Sequence, residues 1–277
     1  MEQLSVNIAG QQIAYLESPG GRGSQDDRAV IFVHGNSSSA RTWLPVLTGN
    51  FGQQFRCLAL DLPGHGQSEP TRDQSDYSLP GYAAVLADFA RTLGAADAVV
   101  VGWSMGGQIV LEAAPTLQSA AGFVIFGAPP VASAAQFTEA FLPNPAMNAI
   151  GSASLSESEA RSVAESFTAP GSALATSEFV SDILATDGAA RAGLGSSVGE
   201  SRFADEVAIV AELRQPLAIL HGAGEQLVNL DYLRKLTIPA LWRGQVQLIP
   251  HAGHAPHQET PQQFAALLTD FIGDLGG

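Results

Sequence analysis

Residues 98–107 read Ala-Val-Val-Val-Gly-Trp-Ser-Met-Gly-Gly, and the fold turns on them. The apolar, mostly β-branched run 98–101 has the composition of a buried strand. Gly102-Trp103-Ser104-Met105-Gly106 then matches the pattern G-x-S-x-G, and the amphipathic segment 108–114 behind it predicts a helix. Strand, sharp turn and helix form the context in which this pattern raises a serine above a sheet edge. The glycines let the turn close and the helix approach the strand. Ser104 Oγ would stand exposed, beside a helix N-terminus whose free N–H groups and positive dipole end suit an anion. Ser104 is therefore the candidate nucleophile. A bare match could arise by chance in a chain with 29 glycines; the flanking strand and helix give this one its weight.

Working outward, similar apolar runs recur at Ala29–Val33, 57–60, Gly122–Phe126, 217–220 and 246–249, with helix-length segments between most of them. One such segment, 80–93, is apolar on one face at Tyr82, Val85, Leu86, Phe89 and Leu93 and stops at Gly94. Strand alternating with helix predicts an α/β protein with a mostly parallel, doubly wound sheet covered on both faces. Two short runs, 4–8 and 12–16, with Ala9-Gly10 between them, predict a hairpin at the start of the chain. A Gly/Asp-rich loop, 19–27, follows.

The stretch 131–213 interrupts the alternation. It holds no clear strand and reads as short helices separated by prolines and glycines, with Ser156 and Glu159 spaced as a capping box. Phe203, Val207, Val210 and Leu213 share one face. So long an insertion between two strands should be a helical cap, with 1–130 and 214–277 as the core.

The 277 residues carry 27 acidic and 13 basic side chains, a net charge of −14, and Lys235 is the sole lysine. That balance argues against nucleic acid or an anionic membrane as partner. Eleven acidic and three basic residues fall in the insertion, so the acidity is expected over the mouth of the site, disfavouring anionic substrates. No run approaches the ~18 apolar residues of a membrane span, and the first ten residues do not resemble a signal peptide. A single cysteine, Cys57, precludes an intramolecular disulfide and any multi-cysteine metal site. A cytoplasmic enzyme acting on a small molecule is expected, as monomer or homodimer.

A serine needs a base. Of six histidines, the cluster His251, His254 and His257 lies between the last strand and the last helix, where the chain order serine, acid, histidine places the base. Gly253 before His254 permits the sharp turn that swings an imidazole over the sheet, so His254 is preferred. A metal site on the three histidines is the rival. Their spacing crosses Pro256 and brings no cysteine or close carboxylate, so neither metal nor cofactor is expected. The acid must fall between Ser104 and His254. Glu225 is the only carboxylate in the loop after 217–220, with Asp231 beyond it as second choice; Gly127-Ala128-Pro129, after the preceding strand, offers none. The loop His34-Gly35-Asn36 follows the strand Ala29–Val33, which points to the N–H groups of Asn36 and Met105 as an oxyanion hole. Gly35, Trp43, Trp103, Phe137 and Phe141, with Phe167 and Phe179, are candidates for a substrate pocket.

His34-Gly35, Asp61-Leu62-Pro63-Gly64-His65-Gly66-Gln67-Ser68, the serine motif, His221-Gly222 and Gly253-His254-Ala255-Pro256 together resemble the α/β-hydrolase superfamily. His34-Gly35-Asn36-Ser37-Ser38-Ser39, Gly127-Ala128-Pro129-Pro130-Val131, Leu230-Asp231-Tyr232-Leu233 with Leu241-Trp242, and Ala252-Gly253-His254-Ala255-Pro256 are similar to the α/β-hydrolase-type N-acyl-homoserine lactonases. That resemblance implies a metal-independent serine hydrolase that opens the lactone ring of acyl-homoserine lactones, the signals of quorum sensing, with a glutamate as triad acid. The more common acid of the superfamily is aspartate. Alternatives are a carboxylesterase or carbon–carbon bond hydrolase and, from another class, a non-catalytic ligand receptor. The metallo-β-lactamase type of lactonase needs H-x-H-x-D-H, which the chain lacks.

Overall fold

The computed structural model describes residues 1–20 and 28–276; the loop read at 19–27 lies almost wholly outside them. Eight strands form one sheet: β1 (Gln3–Ile8), β2 (Gln11–Glu17), β3 (Ala29–Val33), β4 (Arg56–Leu60), β5 (Val99–Trp103), β6 (Gly122–Phe126), β7 (Leu217–Gly222) and β8 (Gln247–Ile249). Their order is β1-β2-β4-β3-β5-β6-β7-β8. The first two form the expected hairpin and join β4 antiparallel; every later pair is parallel.

Strands β3, β5, β6 and β7 are buried along their length because side chains of period two feed both faces. Ile31, Val33, Val100 and Ile125 point into one core, beneath helices α1 (Leu79–Thr92) and α2 (Met105–Ala113). Val30, Phe32, Val101 and Phe126 point into the other, which Phe264, Leu268 and Phe271 of the last helix complete.

From β3 the chain leaves to β4 on one side and β5 on the other, so the strand order reverses there. Ligand crevices of open α/β sheets lie beyond the carboxyl ends of strands at such a switch point. The register pairs Val33 with Gly102, which sets the loop after β3 beside the turn after β5.

Between β6 and β7 the chain is helical: α3 (Glu157–Ser166), α4 (Ser177–Ala185), α5 (Gly188–Gly199) and α6 (Glu206–Glu212), preceded by shorter turns. The capping box at Ser156 and Glu159 forms. These helices have little core of their own. Ala160, Val163, Phe167 and Ile183 extend one layer beside the sheet, while Ala190, Leu194 and Val210 extend the other.

Candidate active site

Ser104 follows β5 at φ 55°, ψ −124°, a backbone that L side chains rarely adopt. Its N–H donates to the Phe126 carbonyl at 2.8 Å, and its own carbonyl accepts from Gly107 N–H at 2.8 Å. The turn is possible because its neighbours lack side chains: a Cβ on Gly106 would lie 2.2 Å from the Val33 carbonyl oxygen. Met105 begins α2, so its N–H has no intrahelical acceptor. Asn36 lies across the cavity on the loop after β3. Its side chain donates to the Ile150 carbonyl at 3.0 Å and accepts from Ser37 Oγ at 3.1 Å, tying that loop to the insertion.

His254 is fully buried, and its Nδ1 lies 2.8 Å from Glu225 Oε2. The carboxylate accepts there, so Nδ1 carries the proton and Nε2 bears the lone pair. Nε2 is buried without a protein partner. Glu225 Oε1 accepts Leu227 N–H at 2.7 Å, and its side chain is 2% exposed. Burial works to raise the Glu225 pKa. The charge and hydrogen bond of His254, the Leu227 N–H and the charge of His221 outweigh it and hold the carboxyl below its ordinary range. Three contacts position the imidazole. The Trp103 indole N–H donates to the His254 carbonyl at 2.8 Å, Phe167 stacks on the ring at 5.7 Å, and Gly127 lies under it. Gly127 has φ +64°, and a Cβ there would meet His254 Cε1 at 2.6 Å.

The other carboxylate and histidines are placed elsewhere. Asp231 has an 80% exposed side chain near Arg234, remote in character from a buried relay. His251 is exposed. His257 is sealed between Trp43, Trp103 and Phe126, with Nε2 2.8 Å from Thr42 Oγ1. Burial drives its pKa well below the ordinary value, and the charge of His254 adds to this. His34 accepts Leu62 N–H at Nε2, 3.0 Å away, and its Nδ1 lies 2.7 Å from the Gly35 carbonyl; burial lowers its pKa to about 4. Among the described residues no group of three His, Cys, Asp or Glu is disposed to hold a metal ion.

Ser104, Met105, Asn36 and His254 line one cavity of about 290 Å³ between the sheet and the insertion. Phe137 and Phe141, stacked at 5.3 Å, line it too, as do Phe167, Leu194 and Phe203. Trp43, Trp103, Gly35 and Phe179 do not. Both tryptophans are completely buried, Trp43 against Phe32 at 4.9 Å and Trp103 against Phe167 and Phe179. Gly35 touches the back of Ser104. Among the described residues no carboxylate lines the cavity. Asp182 pairs with Arg41 and Ser39, Asp187 with Tyr77, and Glu206 is buried against Val131 N–H. The sequence reading gave Gln108 and Gly127 no part in the site, yet both line it. The signal for Gln108 is a polar residue one turn past the serine, in a helix whose one other polar side chain is Glu112.

Among the described residues no helix is long and apolar enough to cross a membrane. Among solved structures, a serine-to-glycine mutant of the N-acyl homoserine lactonase AidH complexed with N-hexanoyl homoserine lactone is 35% identical, with a TM-score of 0.92 over 99% of this chain and 98% of that one. AidH complexed with N-butanoyl homoserine matches equally, over 99% and 97%. An esterase from Rhodococcus at 22% identity and TM-score 0.80 shares the fold over 99% and 100%. An uncharacterised protein of Mycobacterium tuberculosis is 35% identical over 84 residues, 30% of this chain and 24% of that protein, so the match spans about a quarter of its length. The alpha/beta hydrolase family model matches residues 30–267. With that match, the sheet order and the turn at Ser104, the chain belongs to the alpha/beta hydrolase family.

Proposed function

We propose that this protein is a serine hydrolase that opens the lactone ring of N-acyl-homoserine lactones through Ser104, His254 and Glu225. The observation that carries the reading is the likeness to a homoserine lactonase along 99% of the chain, and the mechanism proposed with it is as follows. Ser104 Oγ attacks the lactone carbonyl as His254 Nε2 takes its proton. Glu225 holds the tautomer and balances the imidazolium. The N–H groups of Asn36 and Met105 donate to the oxyanion; losing one such donor costs roughly 10²–10³-fold in kcat. The imidazolium returns its proton to the ring oxygen, which departs as a hydroxyl still tethered to the acyl group. Water, activated by the same imidazole, then releases the serine. No step needs a metal.

The cavity supports the substrate class. Its wall is apolar apart from Asn36, Ser104, Gln108 and His254, which suits a neutral acyl chain. A volume of about 290 Å³ sits at the low end of the roughly 300–1,000 Å³ of small-molecule sites, favouring short and medium chains. The test sets kcat/KM on N-butanoyl to N-dodecanoyl homoserine lactones beside p-nitrophenyl esters, with and without EDTA. Lactones should be preferred, EDTA should change nothing, and Ser104→Ala should abolish both reactions. Ester turnover with no lactone turnover would make the protein a carboxylesterase.

A further inference from the structure

Four polar side chains face the cavity, and three have tasks. Ser104 and His254 are the reacting pair, and the Asn36 carboxamide is taken up by Ile150 and Ser37. Gln108 remains. It is 8% exposed, and its Nε2 donates to the Pro129 carbonyl at 2.9 Å. That bond fixes the plane of the amide and so identifies the other atom as oxygen. Oε1 is buried with no protein donor. Most buried acceptors find a partner; among the described residues this one has none.

Its position says what donor would reach it. The Gln108 N–H donates to the Ser104 carbonyl at 3.2 Å, which puts Gln108 one helical turn beyond the nucleophile. Helical side chains lean toward the N-terminus, so that of Gln108 leans toward the elbow. In a carbonyl compound with an acylamino group on the adjacent carbon, the amide nitrogen lies only about 2.5 Å from the carbonyl carbon, from standard bond lengths. A substrate whose carbonyl sits at Ser104 therefore carries its N–H close to the elbow from which Gln108 is one helical turn away.

We propose that Gln108 is a specificity-determining residue: its Oε1 accepts the N–H borne on the carbon next to the scissile carbonyl. This rests on the lactonase reading for its substrate and adds a determinant that favours α-acylamino lactones and esters over unsubstituted ones. The carboxamide is neutral, so the contact selects a donor without asking for charge.

The experiment measures kcat/KM of wild type, Gln108→Met and Gln108→Leu on two lactones, N-hexanoyl-homoserine lactone and α-octyl-γ-butyrolactone, which lacks the amide. Loss of one neutral hydrogen bond should lower the first about tenfold, mainly through KM, and leave the second within about twofold. The ratio between substrates does not depend on how much of a variant folds. Equal losses on both lactones, or none on either, would overturn the assignment and leave Gln108 a structural residue. If wild type opens neither lactone, the proposed function fails, and p-nitrophenyl N-hexanoylglycinate against p-nitrophenyl octanoate decides Gln108 by the same ratio.

Discussion

Replacing Glu225 by glutamine changes one oxygen to an NH₂ group and removes one charge, at a side chain only 2% exposed. The carboxylate makes two hydrogen bonds, 2.8 Å to His254 Nδ1 and 2.7 Å from Leu227 N–H, and both require an acceptor. A carboxamide supplies one acceptor. With its oxygen toward Leu227, the NH₂ faces Nδ1, so the imidazole must carry its proton on Nε2 and cannot accept one from Ser104. With its oxygen toward His254, the NH₂ meets the Leu227 N–H, donor against donor. That buried mismatch costs about 1–3 kcal/mol, so at 1.36 kcal/mol per decade only about one molecule in 10 to 100 keeps the working tautomer. Those molecules still lack the charge that stabilises the imidazolium. In the chymotrypsin triad the equivalent amide substitution lowers kcat by about 10⁴, near 5.5 kcal/mol. The same order is expected here. Initial rates with N-hexanoyl-homoserine lactone would be followed by pH-stat, with a thermal melt to show that the variant is folded. Asp231→Asn, at an exposed site, serves as control and should stay within about twofold. A Glu225→Gln enzyme within tenfold of wild type would refute the relay, and a collapse of Asp231→Asn would name the acid instead.

Two further outcomes follow from backbone and burial. The strained backbone of Ser104 should cost about 1–3 kcal/mol, so Ser104→Gly should be inactive yet melt at a higher temperature, by at least ~2 °C; a lower melting temperature would show that the elbow is not under strain. Acid should destabilise the protein well above the carboxylate range. Burial lowers His34 to about 4 and His65, helped by the charge of His34, to about 3. The folded state therefore binds fewer protons than the unfolded one, and the stability these rings contribute is full above pH 6.5 and lost below it. Between pH 7 and 5 each loses about 2 kcal/mol. Asp61, raised to about 6 mainly by burial, works in the opposite direction, because its contribution is present at low pH and lost as pH rises through 6; it returns about 1 kcal/mol over the same interval. Urea titrations at pH 7 and 5 should show the net loss, and equal stability would contradict the buried neutral pair.

What could be read in the sequence is what local rules dictate. The elbow needs its glycines within a few residues of the serine, so strand, turn and helix were all visible in 98–114. The candidate base and acid came from chain order and from the scarcity of carboxylates at strand ends, and Glu225 and His254 do meet. The pocket wall depended on which face each residue turns. Trp103 shares a side with Val99 and Val101 by the period of two, and that side is the buried core; proximity to Ser104 in sequence therefore placed it beneath the site and not in it. The acidity of the insertion was a sum over helices whose charged faces look outward, while their apolar faces continue the two cores and close the cavity. Glu206 is harder still. Its carboxyl holds Val131 N–H, 75 residues away, and nothing in a local pattern marks one glutamate of α6 as buried. Gln108 falls between these cases. A polar residue in Met-Gly-Gly-Gln-Ile-Val-Leu, one turn past the nucleophile, has no local reason to be there, and only the placement of Pro129 shows which of its two polar atoms is left for a substrate.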